Sequence, residues 1–217
     1  EVFLVTKTHT GQGDRAVEIL EQSLRDLKTD CVDATFVHSV GHLDPDEILS
    51  RDGALAGLRS AQSRGLTRFV GITAHHWPAK SKELLEKGEI DAAMFALNYG
   101  DKHTYGFQDD PLTLARSANV GVAAMKVFGG APDQKYDKPT RSLMADSGQD
   151  HEQALHYALS LDGVSIAVVG MYSEREVIEN VGYARSFAKM TDETLALTEA
   201  TGSALAAEWK AHFGQVS

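Results

Sequence analysis

Val2-Phe3-Leu4-Val5-Thr6-Lys7 is a short apolar run closed by a charge. Branched and aromatic side chains followed at once by an ammonium group predict a buried strand that delivers one lysine to its C-terminal end. The same design returns at Val32-Asp33-Ala34-Thr35-Phe36-Val37-His38, where the strand ends in an imidazole. In barrels of parallel strands the C-terminal rim carries the chemistry, so two such endings in succession point to a site. Either ending alone reads equally as a solvated boundary residue. The pair carries the argument.

Helices separate these runs. After Gly11 and Gly13, the residues Val17, Leu20, Leu24 and Leu27 recur at helical spacing, with Glu18, Glu21, Arg25 and Asp26 on the other face. Asp44-Pro45-Asp46-Glu47 has the form of a capped helix start, and a second amphipathic stretch through Leu55, Leu58 and Ala61 ends at Gly65. Further strands are predicted at Arg68–Thr73, Asp91–Leu97, Val120–Met125 and Val164–Val169, with a last helix capped by Thr191 and ending near Phe213. From Ala131 to about Gln149 the composition turns polar, and a loop of nearly twenty residues is expected to be functional or disordered. Strand and helix alternate six times at intervals of about 25 to 45 residues, the mark of a parallel sheet with crossover helices. Gly11-Gln12-Gly13 lacks the third glycine and the ribose-binding acid of a Rossmann fingerprint, which leaves a TIM barrel short by two units.

Composition narrows the function. A net charge of −10 argues against nucleic acid or anionic membrane as the main partner. Cys31 is the one cysteine, so neither a disulfide framework nor a cysteine metal site is encoded. No apolar run approaches the about 18 residues of a membrane helix. Nine histidines raise the question of a metal. His75 and His76 are adjacent and diverge on any regular backbone, while His38, His42 and His103 lack a ligand motif, so none is expected. His75 and His76 read as solvated loop residues, with a substrate-facing role for one of them as the alternative.

Several segments resemble aldo-keto reductases in family order. They are Val5-Thr6-Lys7, Ser23 to Asp33 ending at His38, Phe69-Val70-Gly71-Ile72-Thr73, Gly121 to Gly130, and Val168-Val169-Gly170 through Glu179-Asn180. The resemblance implies a (β/α)8 TIM barrel in which residues 1–217 form a single domain, strands three to eight of the family barrel, with the first two βα units absent from this chain. It implies an oxidoreductase that transfers hydride from NADPH, with NADH as the alternative, to the carbonyl of an aldehyde or ketone. The family's catalytic set is a tyrosine acid, a lysine, an aspartate and a histidine, and Lys7 and His38 match the lysine and histidine. The family's aspartate and tyrosine precede the lysine strand, and neither Tyr99 nor Tyr105 matches. Two explanations compete: a fragment of a complete enzyme, or a molecule that starts here and is inactive. The fragment is favoured, because an open six-strand sheet would expose two edges and part of a barrel interior. The 217-residue chain by itself is then expected to be inactive, and the alternative function is a non-catalytic cofactor-binding module. A cytoplasmic location is expected, with any export signal lying before Glu1.

By the same resemblance the cofactor-binding residues are Thr73 at the carboxamide, Met125 against the ring, Lys126, Val127, Phe128 and Gly129 around the phosphates, and Gly170, Met171, Tyr172, Ser173 and Asn180 toward the adenosine. Ala74 stands where an asparagine is usual and Met94 where a glutamine is common. Taken alone, Lys126 to Gly130 reads equally as a plain turn with one solvated lysine. Glu176 occupies the place where members that prefer NADPH often carry an arginine, although it could simply complete a capping box with Ser173. The substrate's identity and the oligomeric state are not encoded in any motif.

Overall fold

The computed structural model of the chain describes residues 2–132, 134–135 and 139–217. Six parallel strands lie side by side in chain order: β1 (Val5–Thr8), β2 (Val32–Val37), β3 (Thr67–Ala74), β4 (Ala92–Ala96), β5 (Gly121–Met125) and β6 (Val164–Ala167). Sequential parallel order with a helix in each crossover is the order of a TIM-barrel wall. Among the described residues β1 and β6 do not pair with each other, so the sheet is not closed.

Register decides which side chains share a face. Lys7 lies opposite Phe36, Phe36 opposite Gly71, Thr73 opposite Met94, and Ala96 opposite Met125. Side chains alternate along a strand, so these residues look inward together while their neighbours look toward the helices. Inside, Ala34, Phe36, Met94 and Met125 form a small apolar floor. Outside, α1 (Gly13–Leu27), α3 (Ala54–Ser63) and α4 (Pro78–Lys87) bury Leu20, Leu58 and Leu84 against Val70, Ile72 and Phe95. Each fully buried leucine contributes roughly 2 kcal/mol of burial free energy.

The first strand differs from expectation. β1 begins at Val5 rather than Val2, and Val2, Phe3 and Val5 are exposed. The reason is position: β1 has only β2 beside it, and the inner face at both edges is open, with Val5 40%, Ile166 55% and Val168 44% exposed. Apolar character predicted burial, but burial needs a second neighbour.

Helix starts follow the local chemistry. Asp44 accepts the Asp46 N–H ahead of α2 (Pro45–Leu49), Asp150 the Gln153 N–H ahead of α8 (His151–Ser160), and Thr191 the Thr194 N–H ahead of α10 (Asp192–Trp209). The predicted loop from Ala131 contains a short helix, α7 (Leu143–Asp146), capped by Ser142, and part of that loop lies outside the described residues. The last helix stops at Trp209, earlier than expected, and the chain turns back across the strand ends. There the Trp77 N–H donates to the Gln215 carbonyl at 3.0 Å. Helix α10 packs Leu205 and Trp209 on Tyr99, Met144 and Tyr157 in a second apolar cluster. No helix among the described residues is long and apolar enough to cross a membrane.

Candidate active site

The site begins where the β1–β2 ladder runs one step past both strands. The His38 N–H donates to the Thr8 carbonyl at 2.8 Å, which sets His38 beside the end of β1. Lys7 and His38 line one cavity of about 720 Å³ that extends to Asn180. His38 is further bounded by His9, with ring centroids 5.1 Å apart, and by His75 at 6.2 Å.

Burial and like charge act on these groups together. Burial, then the Lys126 charge, lowers the Lys7 ammonium below its ordinary value. Burial first, then Lys7 and His9, lowers His38 to about 4, so its imidazole is neutral near pH 7. Burial and the Lys126 charge lower His75 to about 3.

Ser39 follows His38 in a left-handed conformation, φ 53° and ψ 52°, unusual for a residue with a side chain. Its N–H donates to the Thr73 hydroxyl at 2.9 Å, and its own hydroxyl meets His75 Nδ1 at 3.2 Å. Thr73 is therefore fully buried with its hydroxyl engaged, and it does not line the cavity. Met94 and Met125 line the cavity from the floor.

After β5 the chain turns sharply. Lys126 has φ 55° and Gly129 φ 77°, and the Gly129 N–H closes onto the Lys126 carbonyl at 2.7 Å. A Cβ on Gly129 would sit 2.9 Å from the Trp209 ring, so only glycine lets α10 approach. Lys126, Val127 and Phe128 line the cavity; Gly129 does not, whereas Gly130 does. Phe128 stacks on His151 with centroids 4.3 Å apart. Arg141, Ser142 and His151 join the lining from the segment around α7.

Toward α9 (Glu174–Arg185) the lining continues with Gly170, Tyr172, Glu176, Glu179 and Asn180. Met171 and Ser173 are exposed outside it, and Ser173 serves as the helix cap, accepting the Glu176 N–H. The Glu176 carboxylate accepts the Tyr172 N–H at 2.7 Å, so it is a backbone acceptor but not on the Ser173 N–H that a capping box requires. Arg175 pairs with Glu179 at 2.7 Å. Asn180 donates to the Glu176 carbonyl, and its Oδ1 is buried without a hydrogen-bond partner.

These residues fit an extended nucleotide. An orphaned buried acceptor is costly unless a ligand donor meets it, and Asn180 offers one for an exocyclic amine. Lys126 and Arg141 add positive charge to the same cavity, Arg141 while paired with Asp146 at 3.2 Å.

Two histidines differ from the sequence reading. His75 and His76 do diverge, but neither is a solvated loop residue. His75 lines the cavity, while His76 is 4% exposed and meets His42 through their Nε2 atoms at 3.2 Å. The signal for His75 was its period-two step from Thr73 on the inward face of β3. Phe213 also lines the cavity, 5.8 Å from His75, and no local pattern announced it. Tyr99 and Tyr105 are buried in the two apolar clusters, and neither lines the cavity.

Comparison with known proteins agrees with this architecture. The sequence model described as the aldo/keto reductase family matches residues 1–201. The chain is 26% identical over 207 residues to the L-galactose dehydrogenase of Arabidopsis thaliana, a match covering 86% of this chain and 64% of that protein. It is 30% identical over 95 residues to the methylglyoxal reductase DkgB of Salmonella typhimurium, covering 43% of this chain and 34% of that one. The chain thus spans less than two thirds of the length of these curated relatives. Among solved structures, the aldo-keto reductase AKR11C1 from Bacillus halodurans matches with a TM-score of 0.68 at 22% identity, over 98% of this chain and 75% of its own. An aldo-keto reductase from Klebsiella pneumoniae in complex with NADPH matches with a TM-score of 0.68 at 17% identity, over 92% of this chain and 69% of its own. At such identities the structures speak for the fold.

Proposed function

Since the chain belongs to the aldo/keto reductase family, we propose that it is part of an NADPH-dependent oxidoreductase acting on an aldehyde or ketone carbonyl, with residues 1–217 forming one barrel domain. The observation that carries this is the pairing of Lys7 and His38 over a cavity that runs on to Asn180. The NADPH in the Klebsiella pneumoniae neighbour supports the choice of cofactor.

When bound, the nicotinamide supplies hydride to the carbonyl carbon. Negative charge then grows on the carbonyl oxygen, and the protein's task is to hold that charge and complete it with a proton. His38, neutral near pH 7, offers an N–H to the oxygen without competing for its proton. The Lys7 ammonium stabilises the growing charge, and also that of any phenol donating beside it. Met94 and Met125 give the reacting face an apolar floor, and Phe213 limits water at the mouth. Lys126 and Arg141 hold phosphate charge, and Asn180 takes the adenine.

One observation favours a second reading, a cofactor-binding module without turnover. Among the described residues no tyrosine stands with Lys7 and His38, because Tyr172 and Tyr183 line the α9 end. The test is NADPH binding by fluorescence, followed by NADPH oxidation with a panel of aldehydes, both on protein expressed from the complete reading frame rather than on residues 1–217 alone. Binding with turnover that falls at least about a hundredfold in His38→Phe is the expected result. Binding without turnover selects the module, and no binding overturns both readings.

A further inference from the structure

The returning tail brings a histidine onto the turn that follows β5. The His212 ring lies with its Nε2 3.3 Å from the Gly129 carbonyl and its Nδ1 3.2 Å from the Lys210 carbonyl. The same Nδ1 is 3.7 Å from Asp101 Oδ1, and the two side chains are only 9% and 1% exposed. That carboxylate oxygen has no hydrogen-bond partner among the described residues.

Among the described residues, then, the groups facing the ring nitrogens are all acceptors. A neutral imidazole has one N–H, so either tautomer sets a lone pair against a carbonyl oxygen, whereas the imidazolium donates from both nitrogens. The charge so carried is met by the buried Asp101 carboxylate beside it. Burial raises the Asp101 carboxyl above its ordinary value, and the His212 charge and then the Asn98 amide hold that rise back. Neighbouring ionisable groups face elsewhere. Lys102 pairs with Glu199 at 2.6 Å, His103 meets the Glu199 carbonyl at 2.7 Å, and the Lys126 ammonium lies 5.8 Å from the Phe213 ring. Tyr105, with its ring 6.4 Å from that of His212, spends its hydroxyl on the backbone of Phe213 and Gly214.

The pair ties three segments together. Asp101 accepts the Asn98 amide at 2.6 Å, and that amide also donates to the Lys126 carbonyl at 3.0 Å. His212 meets the Gly129 carbonyl, so one network holds both ends of the Lys126–Gly129 turn. The residue after His212 is Phe213, which lines the cavity.

We propose that His212, carried as an imidazolium against the Asp101 carboxylate, is a positioning residue: the pair clasps the returning tail to the Lys126–Gly129 turn and slows release of the cofactor held there, so that release answers to a proton. The inference rests on the NADPH reading for what the turn holds. Removing either charge leaves the other buried without its partner, which is the costly way to break such a pair.

The test uses protein expressed from the complete reading frame. In 15N-labelled wild type near pH 7, NMR of the His212 ring is expected to show hydrogen on both nitrogens, and in Asp101→Asn on one. NADPH dissociation, followed by stopped-flow fluorescence, is expected to be about tenfold faster in Asp101→Asn and in His212→Gln, and no faster still in the double variant, because the two groups act as a unit. Wild-type release is expected to quicken toward both acid and alkaline pH, where one member of the pair loses its charge, and to flatten in the double variant. A merely structural role would speed release and leave its pH dependence alone. A neutral ring in the wild type, release unchanged in a single variant, additive effects in the double variant, or a pH dependence that survives there overturns the proposal. If a single variant does not fold, the wild-type spectrum and pH profile decide, and a flat profile overturns it. Protein that binds no NADPH fails the cofactor reading instead. The clasp is then judged by the ring spectrum and by amide exchange at Gly129 and His212, which Asp101→Asn is expected to speed and which, unchanged, overturns it.

Discussion

The phenol of Tyr105 grips the backbone of Phe213: its Oη accepts the Phe213 N–H at 2.7 Å and donates to the Gly214 carbonyl at 3.2 Å. Burial pushes that phenol up to about 12, which keeps it able to donate at any working pH. The returning tail is therefore held by this neutral hydroxyl together with the Trp77 N–H on the Gln215 carbonyl.

Tyr105→Phe leaves the buried Phe213 N–H without its acceptor. The expected cost is about 1–2 kcal/mol in urea unfolding, together with faster amide exchange at Phe213 than at Trp77. Exchange at Phe213 that stays slow would mean the tail is held by other contacts.

Helix α10 crosses Tyr99 so closely that a Cβ on Gly202 would lie 1.8 Å from the Tyr99 carbonyl oxygen. Gly202→Ala is expected to destabilise by about 3 kcal/mol, the upper end of overpacking costs, because the obstacle is backbone. Gly182→Ala in α9 is the control. A Cβ there meets nothing within 4 Å, so the change is expected to stabilise by up to about 1 kcal/mol through helix propensity. Equal and small effects at both positions would contradict the close approach.

Acid stability follows from the imidazoles lowered by burial, His38 and His75 most of all, with His76 and His151 lowered in the same direction. His38 and His75 stay neutral in the folded chain down to about 4 and about 3, whereas in the unfolded chain they take up protons below about 6.5. Between those values the unfolded state binds more protons, so stability rises with pH in that window. The contribution is whole above about 6.5 and is lost as pH falls toward 4 and then 3. The urea midpoint should therefore be lower at pH 5 than at pH 7.5, and His75→Gln should shrink the difference. The same difference in wild type and variant would show that His75 is not buried as a neutral ring.

Asn180 offers a test that separates binding from folding. Its Oδ1 has no partner in the protein, so Asn180→Ala removes an unsatisfied acceptor along with one donor bond to Glu176. Urea unfolding should change by less than about 1 kcal/mol, while NADPH affinity, read by fluorescence titration, weakens about tenfold. Unchanged affinity would remove Asn180 from the cofactor cradle.

Much of the barrel wall was legible because its signals are local. Apolar runs at Val32–Val37 and Gly121–Met125, helical spacing from Val17 to Leu27, and caps at Asp44, Ser173 and Thr191 each reside within a few residues. What was misread depended on neighbours. Val2, Phe3 and Val5 have the composition of a buried strand yet lie at an open edge. The Ser39 N–H meets the buried Thr73 hydroxyl across 34 residues, a contact no local pattern records, and that hydroxyl keeps its own hydrogen to donate.

Lys7 and His38 could be paired from the amino-acid order alone, since parallel strands joined by a crossover helix bring their C-terminal ends to one rim whatever the details of packing. Which of the two adjacent histidines lines the cavity, which hydroxyl meets its ring, and that Phe213 returns to the cavity were decided only by tertiary contacts. Each depends on groups 34 to 138 residues apart in the chain meeting in space, and no periodicity within a single element records such a meeting.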